Sequence, residues 1–139
     1  MECGTSFGVS TIYLALAISR NAGVERKDAF GVLTMEKDAS KMKTAREIWA
    51  EAGHDVEDWI TFKEGDLLQT LTRDEILPKT IDLLFLDGLF PLYCSTGHFR
   101  TDYSEAWTSL ALPALKLVLP RLRHGSLVFA DKTTSGKHL

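Results

Sequence analysis

Glu2-Cys3-Gly4-Thr5-Ser6-Phe7-Gly8-Val9-Ser10 runs straight into Thr11-Ile12-Tyr13-Leu14-Ala15-Leu16-Ala17-Ile18. An acid, a turn with two glycines separated by three residues, and then an apolar series at helical spacing predict a strand, a tight loop and a helix. Gly4 and Gly8 carry no Cβ, so the backbone there can reach φ > 0 and approach a ligand closely. The helix that follows aims free N–H groups and its positive dipole end at the same place, which suits a carboxylate or a phosphate. Ser6 and Ser10 add hydroxyls. The spacing is neither the G-x-G-x-x-G dinucleotide fingerprint nor a P-loop, because no Gly-Lys-Ser/Thr follows.

Outward from this junction the chain alternates strands and helices. A helix is predicted from Phe7 to Arg20, closed by Asn21-Ala22-Gly23, and then a buried strand over Ala29–Glu36. Met42, Ala45, Trp49 and Ala52 recur at three- and four-residue spacing, so Asp38–Gly53 reads as a helix with Trp49 in the core. The acidic run Asp55–Asp58 reads as a solvated loop. Trp59–Lys63 alternates like a half-buried strand and closes in Glu64-Gly65-Asp66, with a short helix over Leu67–Leu71 capped by Asp66. Ile81–Leu86 is a near-continuous apolar run, as a central parallel strand covered on both faces requires, and it ends in Asp87.

Leu89–Asp102 reads as a long loop over the ligand edge. A helix from Tyr103 to Leu119 is expected to put Tyr103, Ala106, Leu110, Ala114 and Leu117 on one side and to bend at Pro113. Pro120–Gly125 turns the chain into a buried strand, Ser126–Ala130, ending in Asp131. This alternation predicts an α/β fold with a mainly parallel sheet and helices on both faces. Glu2, Glu36, Asp66, Asp87 and Asp131 then fall at the carboxyl ends of successive strands, the edge where open α/β sheets bind ligands. An acid ending the second strand, Glu36, can accept ribose hydroxyls.

At 139 residues the chain is one domain in size, and a hydrophobic fraction of 45% suits a packed core. A net charge of −3 without a Lys/Arg run argues against nucleic acid as a partner. No apolar stretch approaches the roughly 20 residues that cross a bilayer. Cys3 and Cys94 make no disulfide framework and read as two buried free thiols, so the default location is cytoplasmic. Met1–Cys3 is shorter than the about five or six residues of an ordinary strand, so either the first strand is clipped or the sequence is a fragment.

These residues together resemble the S-adenosylmethionine-dependent methyltransferases with a Rossmann-like sheet, and among them the O-methyltransferases of the catechol and caffeoyl-CoA type. The segments that carry the resemblance are Glu2–Thr11, Met35-Glu36-Lys37-Asp38, Glu64-Gly65-Asp66, Leu84-Phe85-Leu86-Asp87-Gly88 and Val128-Phe129-Ala130-Asp131. The resemblance implies one partial S-adenosylmethionine-binding domain over residues 1–139, and methyl transfer to an oxygen of a small molecule. It implies a cofactor site of Glu2, Gly4, Thr5, Ser6, Gly8, Ser10, Glu36, Gly65, Asp66 and Asp87. Within it, Gly4–Gly8 would pass under the methionine part and Ser10 would bond its carboxylate. Glu36 would hold the ribose, Gly65 and Asp66 would flank the adenine, and Asp87 would lie beside the sulfonium.

The departures from the family pattern are chemical. Metal-dependent members hold a divalent cation with Asp, Asp and Asn, which here would be Asp87, Asp131 and Lys132. A lysine offers no oxygen ligand and sets a positive charge against Mg²⁺ or Ca²⁺. Phe90 stands where catechol-type enzymes carry a basic lysine, and His98 reads as a surface loop residue, so no catalytic base is assigned. The family's helices before the first strand and its antiparallel hairpin after the fifth are missing, which implies truncation at both ends. An inactive cofactor-binding fragment is the alternative function, and a nicotinamide-dependent oxidoreductase the third. Nothing in the sequence excludes a homo-oligomer.

Overall fold

The computed structural model describes residues 1–22, 31–87 and 110–130. In chain order the elements are β1 (Glu2–Cys3), α1 (Val9–Ala22), β2 (Val32–Glu36), α2 (Ala39–Ala52), α3 (His54–Glu57), β3 (Ile60–Glu64), α4 (Leu67–Leu71), β4 (Ile81–Leu86), α5 (Leu112–Val118), a 3₁₀ turn (Leu119–Arg121) and β5 (Leu122–Ala130). The five strands form one sheet in the order β3-β2-β1-β4-β5, and every pairing is parallel. This is the parallel α/β sheet expected from the alternation, Rossmann-like as the resemblance implies, with β1 clipped to two residues.

Helices cover both faces because the strands are apolar on both. Val32 packs with Ala15, Val56 and Trp59 in one buried cluster, whereas its neighbour Leu33 packs with Cys3, Met35, Leu71, Leu84, Ala114 and Val118 in another. Successive strand side chains point to opposite faces, so α1 and α3 lie on one side and α4 and α5 on the other. Asp38 caps α2 by accepting from the Ser40 and Lys41 N–H groups, and Asp66 caps α4 by accepting from Gln69 N–H. The Asp66 cap stands where the sequence puts it.

Three local expectations need correction. Residues 54–57 are a helical turn, not a loop, because Val56 is buried against α1 and Trp59. On α5 the buried positions are Ala114 and Val118, while Leu117 is exposed; the helix turns a different stripe to the sheet. Pro113 occupies the first turn of α5; the helix expected ahead of it lies largely outside the described residues. The last strand starts at Leu122 and is not buried: Leu127, Val128 and Phe129 are 68%, 47% and 57% exposed. β5 is the edge strand of the described sheet. The expected loop 89–102 and residues 103–109 lie outside the described residues.

Candidate functional site

The register sets the carboxyl ends of the three inner strands at one level. Cys3 pairs with Met35 on one side and with Leu86 on the other, so Gly4, Glu36 and Asp87 follow at the same edge. The strand order reverses direction between β1 and β4, and in open α/β sheets that switch point opens the ligand crevice. The glycine loop leaves β1 at this point.

The loop is tied to β2 by backbone and side chain. Thr5 N–H donates to Met35 O at 3.0 Å, Ser6 N–H donates to Glu36 Oε2 at 3.0 Å, and Gly8 N–H closes the turn on Thr5 O at 2.8 Å. Gly4 and Gly8 have φ of 99° and 77°. Among the described residues Ser6 alone holds a positive φ, 50°, without being glycine. Such strain persists only where the surroundings enforce it, and here the bond to Glu36 does so. The first turn of α1 contains no acid, which leaves its N–H groups and dipole open to an anion.

Beneath the loop lies a buried polar knot. Glu2, Thr5, Thr11 and Thr34 are each at most 1% exposed. Thr11 Oγ1 and Thr34 Oγ1 donate to Glu2 Oε2 at 2.5 and 2.6 Å, and Ser10 Oγ donates to Oε1 at 2.6 Å. Thr5 and Thr34 hydroxyls are 2.6 Å apart. Because Thr34 spends its proton on Glu2, Thr5 must be the donor in that pair. Burial raises the Glu2 pKa above 4.5, the three hydroxyl bonds oppose the rise, and the nearby Asp87 charge adds to it. Glu2 therefore sits one layer below the rim, holding β1, α1 and β2 together. The Ser10 hydroxyl, expected at a ligand carboxylate, is engaged with Glu2.

Glu36 ends β2 at the rim. Its Oε1 accepts from Lys37 and Asp38 N–H at 2.9 and 3.0 Å, in addition to the Ser6 bond on Oε2. A carboxylate has about four acceptor sites, so about one remains for a ligand hydroxyl. Gly65, at φ 137°, donates its N–H to Glu36 O at 3.0 Å and brings the β3 loop, with Asp66 behind it, to the same edge. Asp87 N–H donates to Cys3 O at 3.1 Å, which sets Asp87 beside Gly4. Glu36, Gly65, Asp66 and Asp87 thus converge with the glycine loop on one rim.

Asp131 and Lys132 lie outside the described residues, as do Phe90, Cys94 and His98, so the Asp87–Asp131 metal pair rests on sequence alone. Among the described residues no three His, Cys, Asp or Glu side chains gather as metal ligands. The other cysteine, Cys3, is free and buried, and burial pushes its thiol up to about 12.

Sequence reasoning missed three contributors. Thr34 and Thr11 are hydroxyls inside apolar elements, a legible signal that a buried acceptor was needed, yet nothing local names Glu2 as that acceptor. Trp49 is buried as expected, but its Nε1–H also donates to Gly8 O at 2.9 Å. A Cβ on Gly8 would lie 2.5 Å from that nitrogen, so the indole holds the loop's last residue in place from α2.

The sequence pattern that defines the methyltransferase domain family matches residues 1–133. A structure described as a caffeoyl-CoA O-methyltransferase from Staphylococcus aureus shares the fold, at 21% identity and a TM-score of 0.63 over 94% of this chain and 47% of its own. An O-methyltransferase structure from Klebsiella pneumoniae matches at 29% identity and TM-score 0.60, over 94% of this chain and 46% of that one. TomG, the Streptomyces achromogenes O-methyltransferase involved in tomaymycin synthesis and solved with SAM, matches at 26% identity and TM-score 0.56, over 97% and 54%. The chain therefore spans about half the length of these solved structures. No curated protein matches it.

Proposed function

Since the chain belongs to the methyltransferase domain family, we propose that its rim binds S-adenosylmethionine and that the protein transfers a methyl group to an oxygen of a small molecule. The observation that carries this reading is the lacing of the glycine loop to Glu36 at the switch point of the sheet. The residues fit such a cofactor by the chemistry of their donors and acceptors. The amino-terminal N–H groups of α1 and the loop suit the methionine carboxylate. Glu36 has acceptor capacity for a ribose hydroxyl, Gly65 and Asp66 stand where an adenine edge would lie, and Asp87 offers negative charge to a sulfonium.

When bound, the cofactor supplies an electrophilic methyl group for in-line displacement. The chain's own part is positioning, with Glu36 fixing the ribose, the strained Ser6 turn fixing the loop, and the knot around Glu2 keeping the loop from relaxing. Orientation of this kind contributes several kcal/mol to a barrier without any proton being moved. The reading takes residues 1–139 as one cofactor-binding domain with a small-molecule acceptor and a cytoplasmic location. Among the described residues no helix is long and apolar enough to cross a membrane.

Isothermal titration with S-adenosylhomocysteine tests the cofactor site. Binding is expected for the wild type, and Glu36→Ala should weaken it by about 1.5–3 kcal/mol, roughly 10- to 150-fold, as expected for a hydrogen bond to a charged group. No heat at millimolar ligand refutes the site, and an unchanged affinity in the variant removes Glu36 from it. Methyl transfer to a panel of catechols and phenols, with and without Mg²⁺, separates a working enzyme from an inactive binding fragment. An NADH fluorescence titration with a positive result would favour the oxidoreductase instead.

A further inference from the structure

Glu36 makes one contact that its place at the end of β2 does not require. Its Oε1 accepts from Lys37 and Asp38 N–H at 2.9 and 3.0 Å, which fixes the carboxylate on its own turn. Its other oxygen, Oε2, accepts from Ser6 N–H at 3.0 Å, 30 positions back along the chain. The flanks of the glycine loop have other ties. Thr5 N–H donates to Met35 O, and Gly8 is held by its own N–H on Thr5 O and by the Trp49 indole on its carbonyl. Ser6 lies between them, is not glycine, and has a φ of 50°. An L-residue leaves that region when nothing holds it, because its Cβ crowds the backbone there.

Given the S-adenosylmethionine reading, on which this rests, we propose that Glu36 is a positioning residue for the amino-acid end of the cofactor as well as a ligand of its ribose. Through Ser6 it holds the glycine loop in the conformation that receives the carboxylate. One side chain then serves both ends of the ligand, the ribose by contact and the carboxylate through the loop. The consequence is a coupling between the two ends. With the Ser6 bond gone the loop relaxes, and a ligand that uses the loop must first re-form the strained turn, so it binds more weakly. A ligand without an amino-acid end makes no such demand.

The test compares two ligands on the 139-residue chain by isothermal titration. One is S-adenosylhomocysteine. The other is 5′-methylthioadenosine, which keeps the adenosine and the sulfur but has no amino-acid end. The variant is Glu36→Gln. Its amide oxygen can keep the Lys37 and Asp38 bonds, while its NH₂ group, a donor, faces the Ser6 N–H and cannot accept from it. The preference for S-adenosylhomocysteine over 5′-methylthioadenosine should fall at least about five-fold. Adding Ser6→Gly should restore most of it, since glycine takes that φ without strain. Glu36→Ala is the second variant, and there the same fall in preference should accompany weaker binding of both ligands.

Native-state hydrogen exchange needs no ligand, and should find the Ser6 amide protected in the wild type and unprotected in Glu36→Gln. An equal weakening of both ligands overturns the proposal, because Glu36 then acts on the ribose alone. So does a lost preference that Ser6→Gly fails to recover, or a Ser6 amide that exchanges freely in the wild type. A wild type that binds neither ligand refutes the cofactor reading and the proposal with it, whereas binding of both with an unchanged preference in the variants refutes the coupling alone.

Discussion

Gly8→Ala tests whether the nucleotide-type loop is held by α2 or merely by its own turn. At φ 77° an alanine carries strain, and its Cβ would meet the Trp49 indole at 2.5 and 2.8 Å and the Ala45 Cβ at 2.9 Å. The strain costs about 1–3 kcal/mol. Pushing the indole away also breaks the buried Nε1–H bond to Gly8 O, for about 1–3 kcal/mol more. The sum, about 2–6 kcal/mol, is a large part of the about 5–15 kcal/mol that holds a domain folded.

Gly125→Ala is the control, because its φ of 86° is similar and no atom lies within 4 Å of its Cβ. It should cost the strain alone. Urea unfolding followed by circular dichroism measures both, together with Trp49→Phe and the Gly8→Ala/Trp49→Phe double variant. The excess of Gly8→Ala over Gly125→Ala should be at least about 1 kcal/mol, and Gly8→Ala and Trp49→Phe should be non-additive by a similar amount. Equal costs at the two glycines, with additive behaviour at Trp49, would refute the claim that the indole holds the loop.

Two further predictions follow from buried titratable groups. The folded-state pKa of Glu2 lies above the ordinary 4.5, so the protonated acid is the form that folding favours. Its contribution is complete below about that pH and is lost as pH rises through the folded value. Glu2→Gln should flatten the pH dependence of the urea midpoint in this window, and an unchanged slope would show that Glu2 does not cause it. Cys3, with its thiol pushed up to about 12 and its side chain fully buried, should resist iodoacetamide at pH 8 in the native state and react once unfolded. Peptide mass mapping reads the outcome, and native-state labelling within minutes would contradict its placement in the core.

Much of the fold is local in origin and so was legible along the chain. The apolar run Ile81–Leu86, the helix carrying Ala45 and Trp49, and the caps Asp38 and Asp66 each depend on residues a few positions apart. The acids closing successive strands pointed to one rim for the same reason. The errors arose where a neighbour distant in sequence decides. Residues 54–57 coil because Val56 finds α1, and Leu127–Phe129 are apolar yet exposed on β5, the edge strand of the described sheet.

Periodicity and glycine spacing alone determined that this is a parallel α/β sheet with a ligand-type loop ahead of its first helix. What each polar group does there was decided only by tertiary structure. Glu2 reads as one of five similar acids until β2 and α1 close over it, when Thr34 and Thr11, 32 and 9 positions away, consume its carboxylate. Trp49 reads as filler until α2 brings its indole N–H, 41 positions away, onto Gly8. Hydrogen bonds of such sequence separation depend on which elements pack together, and spacing along the chain carries no record of that.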